Sequence, residues 1–396
     1  MNKIKLGVIG CGGRGRSLIK HGLRYMEEVE ITALCDVYID RAREAEQLIK
    51  EMKAQDIFLT EQAEKVIDDP NVQAVLIATD WELHIPLTIA CMRAGKPVGV
   101  EVAGAYSIEQ CWELVRTYQQ TGTPVMLLEN CCYGRRELMA LHMANLGVFG
   151  EIVHCEGGYL HDLRAEMCEK EKTNHYRLHN YMARCCDNYP THEIGPIARI
   201  LNIHRGNRFL SLSSFSSKAK GLRAFIRENY PDDPHLYQAR FEQGDIVTTV
   251  ITCANGQTVR IVLDTTLPRY YSRGFTVRGT KGMFEEATDS IFLDGDENHM
   301  NWRSSWGNAE QFAERYEHPL WKRYLKEGVK HGHGGIDWLM LRDFADCLIH
   351  QKPFPIDVYD MAAWMSISVL SEQSIACGGM PVCFPDFTEG TWQIPK

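Results

Sequence analysis

The sequence predicts an α/β protein in two parts. An N-terminal doubly wound parallel sheet is followed by a C-terminal α+β domain with a large, mostly antiparallel open sheet. Three observations carry this expectation. Short apolar strands alternate with helical patterns up to about residue 129. A glycine-rich turn joins the first strand to the first helix. Beyond Gly150 the hydrophobic period changes to two.

The first strand is the apolar run over residues 4–9, with a helical pattern following from about Arg16 to Tyr25. Residues 30–35 form a second strand that ends on Asp36, and strands at 74–78, 97–101 and 125–128 complete the series. A helix near residues 84–94 separates two of them. Period-two segments then appear at 152–159, 209–216, 246–253, 258–264 and 274–278. Asn255-Gly256 and Thr280-Lys281-Gly282 punctuate them, and Asn-Gly between strand runs signals a hairpin. Helices are expected near 136–146, 191–201, 336–349 and 358–376. The change of pattern divides the chain into domains 1–129 and 130–396.

Composition narrows the function. Hydrophobic content of 44% with 24% charge is ordinary for a globular enzyme, and the net charge of −9 disfavours phosphate backbones and anionic lipid. Neither nucleic acid nor a membrane is therefore an expected partner. No apolar run approaches the roughly 18 residues of a membrane span. The first strand begins at Lys5, which leaves no room for a signal peptide. The 14 cysteines lack the spacing of a disulfide framework, so a reducing cytoplasm is the expected setting.

Gly10-x-Gly12-x-x-Gly15 follows a strand and opens a helix, the arrangement of a Rossmann dinucleotide site. Gly10 makes the turn, Gly12 admits the pyrophosphate to the backbone, and Gly15 lets helix and strand pack closely. The phosphates would sit on the helix N-terminus. Asp36, about 20 residues further on, can accept hydrogen bonds from the adenosine ribose. No arginine follows it immediately, so the cofactor expected is NAD and not NADP. His84 is placed at a helix start just past a strand end, where open α/β sheets bind ligands, although a local hydrogen bond would also account for it.

The combined pattern resembles the Gfo/Idh/MocA oxidoreductase family. Besides the glycine loop, Ala94-Gly95-Lys96-Pro97-Val98-Gly99-Val100-Glu101 is similar to the family's strand ending in Glu-Lys-Pro. Here Val102 replaces the lysine and Ala103 the proline. In typical members that lysine is the acid/base of hydride transfer, and a valine cannot move a proton. The second half resembles glycoside hydrolase family 109, a subgroup that similarly lacks the lysine. The likeness lies in residues 155–164, Thr173-Asn174-His175-Tyr176, Tyr189-Pro190-Thr191-His192, residues 202–208, Gly332-His333-Gly334-Gly335-Ile336-Asp337 and Pro385-Asp386-Phe387-Thr388. Two further departures are that no export signal is expected here, where members commonly carry one, and that Glu193 stands where members usually carry glycine after Tyr-Pro-Thr-His.

The resemblance implies an NAD-dependent α-N-acetylgalactosaminidase-like activity. Oxidation of a sugar C3 hydroxyl acidifies the C2 proton; elimination, water addition and re-reduction follow. Tyr159 and His192 match the catalytic positions, with His192 handling the hydroxyl proton and Tyr159 the C2 proton. From pattern alone a buried tyrosine and a helix-capping histidine would look the same. The sugar contacts implied are Tyr159, Arg177, Tyr189, His192 and Tyr271. The cofactor contacts expected are Gly10, Gly12, Arg14, Gly15, Asp36, Trp81, His84, Glu101, Val102 and Asn130. His333 is a candidate to line the site. The resemblance also makes a homo-oligomer expected.

Two other functions compete: a sugar or inositol oxidoreductase that releases NADH, and a non-catalytic NAD-sensing protein. A metal site built from His175, His179, Cys185, Cys186 and Asp187 is not expected, because the two adjacent cysteines would face opposite sides of a strand. The charged stretch 166–172 reads as a solvated face.

Overall fold

In the computed structural model, residues 3–53, 55–169, 176–295, 306–329 and 332–394 are described. They divide into two compact units. The first comprises Met1–Tyr133 with Gly328–Ser366; the second comprises Gly134–Glu327 with Ile367–Lys396.

The first unit is built on six parallel strands: β1 (Ile4–Ile9), β2 (Val29–Cys35), β3 (Phe58–Thr60), β4 (Ala74–Ile77), β5 (Val98–Val100) and β6 (Val125–Leu127). Their order is β3-β2-β1-β4-β5-β6, the Rossmann order, and it reverses between β1 and β4. Strands β4, β5 and β6 are buried along their whole length, as a sheet covered on both faces requires. Helices α1 (Gly13–His21), α2 (Ile39–Lys50), α3 (Ala63–Ile67), α4 (Trp81–Arg93) and α5 (Ile108–Thr121) alternate with the strands.

Two expectations shift here. The α4 helix starts at Trp81 rather than His84, with Asp80 in extended conformation before it. Strand β3 carried no readable pattern, being three residues long with an exposed Phe58.

A larger difference concerns the helix Ile336–His350, expected in the second domain. Residues 328–366 belong to the first unit. This helix packs against β1, α1 and the turn Asn130–Tyr133. Its buried residues Asp337, Met340, Leu341, Phe344 and Ala345 recur at helical spacing, and Phe344 stacks on Phe354 at 5.5 Å. Ile356 adds a carbonyl that accepts from the Leu127 amide of β6. A contiguous division misses this because the partner of an apolar stripe is not written beside it in the chain.

The second unit holds an eight-stranded sheet ordered β13-β12-β11-β7-β10-β9-β8-β14. Its strands are β7 (Ile152–Leu160), β8 (Phe209–Ser216), β9 (Ile246–Cys253), β10 (Thr258–Asp264), β11 (Thr276–Gly279), β12 (Gly282–Glu285), β13 (Ser290–Leu293) and β14 (Val382–Cys383). Among the described residues of this sheet, only the β7–β10 pair is parallel. The hairpin turn at Asn255-Gly256 joins β9 to β10, with Gly256 at φ +87°. The helix Pro190–Ile200 lies on β7 and β10. Among the described residues, no helix is long and apolar enough to cross a membrane.

Phe344→Ala should lower the thermal stability of the first unit, costing roughly 3–5 kcal/mol for a large buried ring. A shift in its melting transition checks this.

Candidate active site

The first unit concentrates its polar groups at the carboxyl ends of β1, β4, β5 and β6. Gly10 has φ +96°, and a Cβ there would lie 2.4 Å from the Ala78 carbonyl oxygen at the end of β4. A Cβ on Gly15 would lie 2.0 Å from the Gly10 oxygen. These two glycines are required by backbone crowding. Gly12 and Gly13 differ: nothing comes closer than 4.0 Å to a Cβ built on either. The α1 N-terminus has no side-chain cap and no acidic residue in its first turn, leaving its amides open to an anion.

Asp36 is buried and braces this loop. Its Oδ2 accepts from the Cys11 amide at 2.8 Å and its Oδ1 from the Tyr38 amide at 2.9 Å. Arg41, which the sequence reading passed over, stacks on Tyr38 and brings Nη1 to 4.0 Å from the Gly12 Cβ position. Trp81 and His84 open α4 and are both buried. Burial brings His84 down to about 4, against smaller opposing contributions from the Thr79 and Glu101 backbone, so its ring is neutral at pH 7. His84 Nε2 lies 3.2 Å from the Thr79 carbonyl.

Arg14, Glu101 and Asn130 were each expected at the cofactor, and they are tied to one another. Arg14 meets Glu101 at 2.9 Å and grips Asp337 with two hydrogen bonds of 2.8 and 2.9 Å. Asn130 Nδ2 donates to Asp337 at 2.8 Å, and His333 Nδ1 lies 2.7 Å from the same carboxylate. Burial alone would raise Asp337, but the hydrogen bonds and charges of His333 and Arg14 hold it well below the usual carboxylate range. Val102 and Ala103 follow Glu101 as buried apolar residues.

In the second unit Tyr159, near the end of β7, lies at the centre of a ring cluster. Its ring centroid is 4.6 Å from Tyr189, 5.3 Å from His192 and 5.7 Å from His161. Tyr189 and His192 are edge-on at 4.8 Å, and Tyr271 meets His161 at 5.1 Å. Arg177, on the helix Tyr176–Ala183, places its guanidinium 5.1 Å from the Tyr189 ring centroid. All five expected sugar contacts thus gather in one region, joined by His161, which the motif contained but the reading did not single out. Burial raises the Tyr159 phenol, and the Arg177 charge pulls it back only in part. Burial also lowers His161, whose Nδ1 meets no hydrogen-bond partner among the described residues.

The metal candidates go to separate partners. Cys185 and Cys186 lie in a loop rather than a strand and contact Ser216 and Asn188. Asp187 meets Glu193, and His179 faces His235 at 6.4 Å. His175 lies outside the described residues. All 14 cysteines are free thiols.

Comparison with known proteins gives this arrangement a family. An oxidoreductase family model with an NAD-binding Rossmann fold matches residues 4–128, and the glycosyl hydrolase 109 C-terminal domain matches residues 133–394. The chain belongs to glycosyl hydrolase family 109.

A glycosyl hydrolase family 109 protein of Stenotrophomonas maltophilia is 37% identical, over 100% of this chain and 91% of the relative. An alpha-N-acetylgalactosaminidase of Tannerella forsythia is 38% identical, over 98% of this chain and 87% of its own length. In fold, the chain is similar to levoglucosan dehydrogenase in complex with NADH and levoglucosan, with a TM-score of 0.71 at 19% identity over 97% of this chain and all of that one. A scyllo-inositol dehydrogenase from Lactobacillus casei aligns with a TM-score of 0.68 at 13% identity, covering 96% and 98% of the two chains. The family boundary falls between residues 128 and 133, whereas the compact units assign 328–366 to the first.

Asp337→Asn should destabilise the first unit by on the order of 3 kcal/mol near neutral pH, since it removes the buried charge that Arg14 grips with two hydrogen bonds and leaves Glu101 as its remaining carboxylate. The folded-state pKa of Asp337 is depressed, so its contribution is present above the unfolded value of about 3.9 and is lost as pH falls through the folded value. The stability gap between wild type and variant should therefore narrow below about pH 4, as denaturation midpoints at several pH values would record.

Proposed function

We propose that the chain is an NAD-dependent glycosidase acting on α-N-acetylgalactosaminides or closely related glycosides, by transient oxidation at C3 and elimination across C1–C2. The observation that carries this reading is the joint presence of a dinucleotide cradle and a ring cluster holding both Tyr159 and His192, while Val102 occupies the position of the usual proton-moving lysine. The family's named glycosidases, including that of Tannerella forsythia, support the hydrolytic outcome.

The residues present fit NAD. The uncapped α1 N-terminus and the open space over Gly12 and Gly13 suit a pyrophosphate, and Asp36 keeps acceptor capacity for ribose hydroxyls. Gly10, Gly12, Arg14, Gly15, Asp36, Trp81, His84, Glu101, Val102 and Asn130 would hold it. When bound, the cofactor supplies hydride acceptance and return at one sugar carbon. The proposal keeps residues 1–129 as the cofactor part and 130–396 as the substrate part, with Asn130 reaching the cofactor from just past that boundary.

The chain's own residues move the protons. His192 takes the hydroxyl proton as C3 is oxidised and gives it back on reduction. Tyr159 handles the C2 proton. Its raised pKa makes it a neutral phenol at rest, so accepting a proton requires the phenolate to be stabilised by Arg177. Tyr189 and Tyr271 offer ring faces and hydroxyls to the sugar. Elimination expels the C1 substituent, water adds at C1, and the same groups act in reverse.

The deciding experiment incubates protein purified with its cofactor with aryl N-acetyl-α-galactosaminides, without added NAD. Hydrolysis with no net NADH supports the proposal. Stoichiometric NADH from a free sugar points instead to a sugar or inositol oxidoreductase, and NAD binding with neither activity to a sensing role. His192→Ala should lower kcat by about 10²–10⁴-fold; full retained activity removes it from the proton path. Arg177→Met should slow exchange of the substrate C2 proton with D2O, again by about 10²-fold, while leaving NAD affinity unchanged.

A further inference from the structure

Glu193 stands where members of the family usually carry glycine, directly after His192. In the structure it is only 1% exposed, and its carboxyl contacts that of Asp187, which is 0% exposed. No other side chain among the described residues donates a hydrogen bond to either Glu193 oxygen or to Asp187 Oδ2, and otherwise only backbone, that of Tyr159, faces the Glu193 carboxyl. Two carboxyl groups in dry contact cannot both ionise, and a proton on one is the hydrogen that joins them.

The surroundings fix where this pair acts. Asp187 is clamped by the helix Val358–Ala376: its amide donates to Ser371 Oγ at 2.9 Å and its carbonyl accepts from the Ser368 hydroxyl. Its Oδ1 accepts from the Tyr189 amide at 3.3 Å. Glu193 stands in the first turn of the helix Pro190–Ile200, directly after His192. Its backbone carbonyl presses on β7, where a Cβ on Gly157 would lie 2.3 Å from it, and the Tyr159 backbone faces its carboxyl. The pair therefore joins the strand end bearing Tyr159, the turn bearing Tyr189 and the helix start bearing His192.

We propose that Glu193 is a positioning residue of the sugar site. With Asp187 it forms a buried pair that shares one proton and holds the Tyr159, Tyr189 and His192 rings in register. The inference rests on the glycosidase reading for its effect on catalysis, though not for the pair itself. Loss of the shared proton would place two negative charges in contact, forcing the pair to separate or hydrate and the rings to shift.

The titratable neighbours do not relieve that repulsion. Tyr181, from the helix Tyr176–Ala183, and the Cys186 thiol feel the Asp187 charge, and both are neutral groups raised chiefly by burial. From the helix Val358–Ala376 only the serine hydroxyls reach Asp187, while Glu372 acts on Cys186. Strand β10 and the helix Arg135–Asn145, also packed on the Glu193 helix, bring no charge to the pair. No basic side chain among the described residues acts on either carboxyl. Burial raises both carboxyls, Asp187 to about 7 and Glu193 further with the help of the Asp187 charge, so the pair as a unit holds a proton at neutral pH.

Glu193→Gln tests this directly. It keeps a donor to Asp187 and a single negative charge but has no proton to lose. The alkaline limb of kcat/KM should move upward by about one pH unit or more in the variant. Infrared spectroscopy of the wild-type holoenzyme should show a buried protonated carboxyl at neutral pH that is absent from the variant. As pH rises, that band should vanish together with a change in the near-ultraviolet circular dichroism of the tyrosines. Superimposable pH profiles, or no protonated carboxyl in the wild type, overturn the proposal. Should the wild type hydrolyse no glycoside, the glycosidase reading fails, while the infrared and dichroism results still judge the pair.

Discussion

The close approach of two strand ends is the constraint on which the first unit depends. At the point where the strand order reverses, the turn after β1 passes so near the Ala78 carbonyl that only a glycine at position 10 fits. That crowding has a constructive side. It brings the amides of the α1 N-terminus to the crevice, and the Gly15 contact fixes the helix against the loop. The same turn leaves Gly12 and Gly13 uncovered, so tight packing beneath and open space above come from one piece of backbone. Asp36 completes it by accepting the Cys11 amide, which makes the carboxylate part of the loop's own structure as well as a hydrogen-bond acceptor.

Arg14 shows how the end of β5 is used once its lysine is gone. A lysine after Glu101 would be a mobile proton carrier, whereas this chain buries Val102 and Ala103 there. Glu101 is paired with Arg14, and Arg14 with Asp337, so the strand end is locked by one guanidinium that bridges two carboxylates. The returning segment 328–366 supplies Asp337 and His333, which explains why it belongs with the first unit. A carboxylate held this far below its ordinary range is committed to structure and is a poor proton acceptor. In the proposed reaction β5 therefore offers little proton chemistry, and the proposal assigns the proton transfers to residues of the second unit.

Much of this was legible in the sequence, for reasons that are local. Gly10, Gly12, Gly15 and Asp36 are read from a turn whose sterics involve neighbours in the chain. The period-two runs of β7 to β10 announced an antiparallel sheet because one-sided burial imprints alternation. What stayed hidden was non-local. Asp337 became the partner of Arg14 across more than three hundred residues, with no spacing rule to connect them. Strands β3, β12, β13 and β14 are too short to show a period. Cys185 and Cys186 sit in a loop where alternation means nothing. Glu193 was noticed only as an oddity, and its meaning needed Asp187, whose contact with it depends on the turn between them.

The division of chemistry between the two units follows from the reaction proposed. A plain hydroxyl oxidation needs one acid/base group, so a single lysine beside the cofactor suffices. Elimination across C1–C2 after oxidation at C3 needs two, addressed to adjacent carbons, and they must differ in character. A histidine can exchange the hydroxyl proton near neutrality, whereas a carbon acid demands a stronger base sheltered from water. Tyr159 meets that second requirement through its burial, at the cost of a phenolate that only a neighbouring cation can stabilise. The proposal gives that part to Arg177, which is held against the Tyr189 ring next to Tyr159. Two such groups work together only if their rings keep fixed places within a few ångströms, and side chains from a strand, a turn and a helix have no covalent reason to do so. A buried proton shared between residues 187 and 193 supplies that reason, because it binds the turn to the helix from beneath.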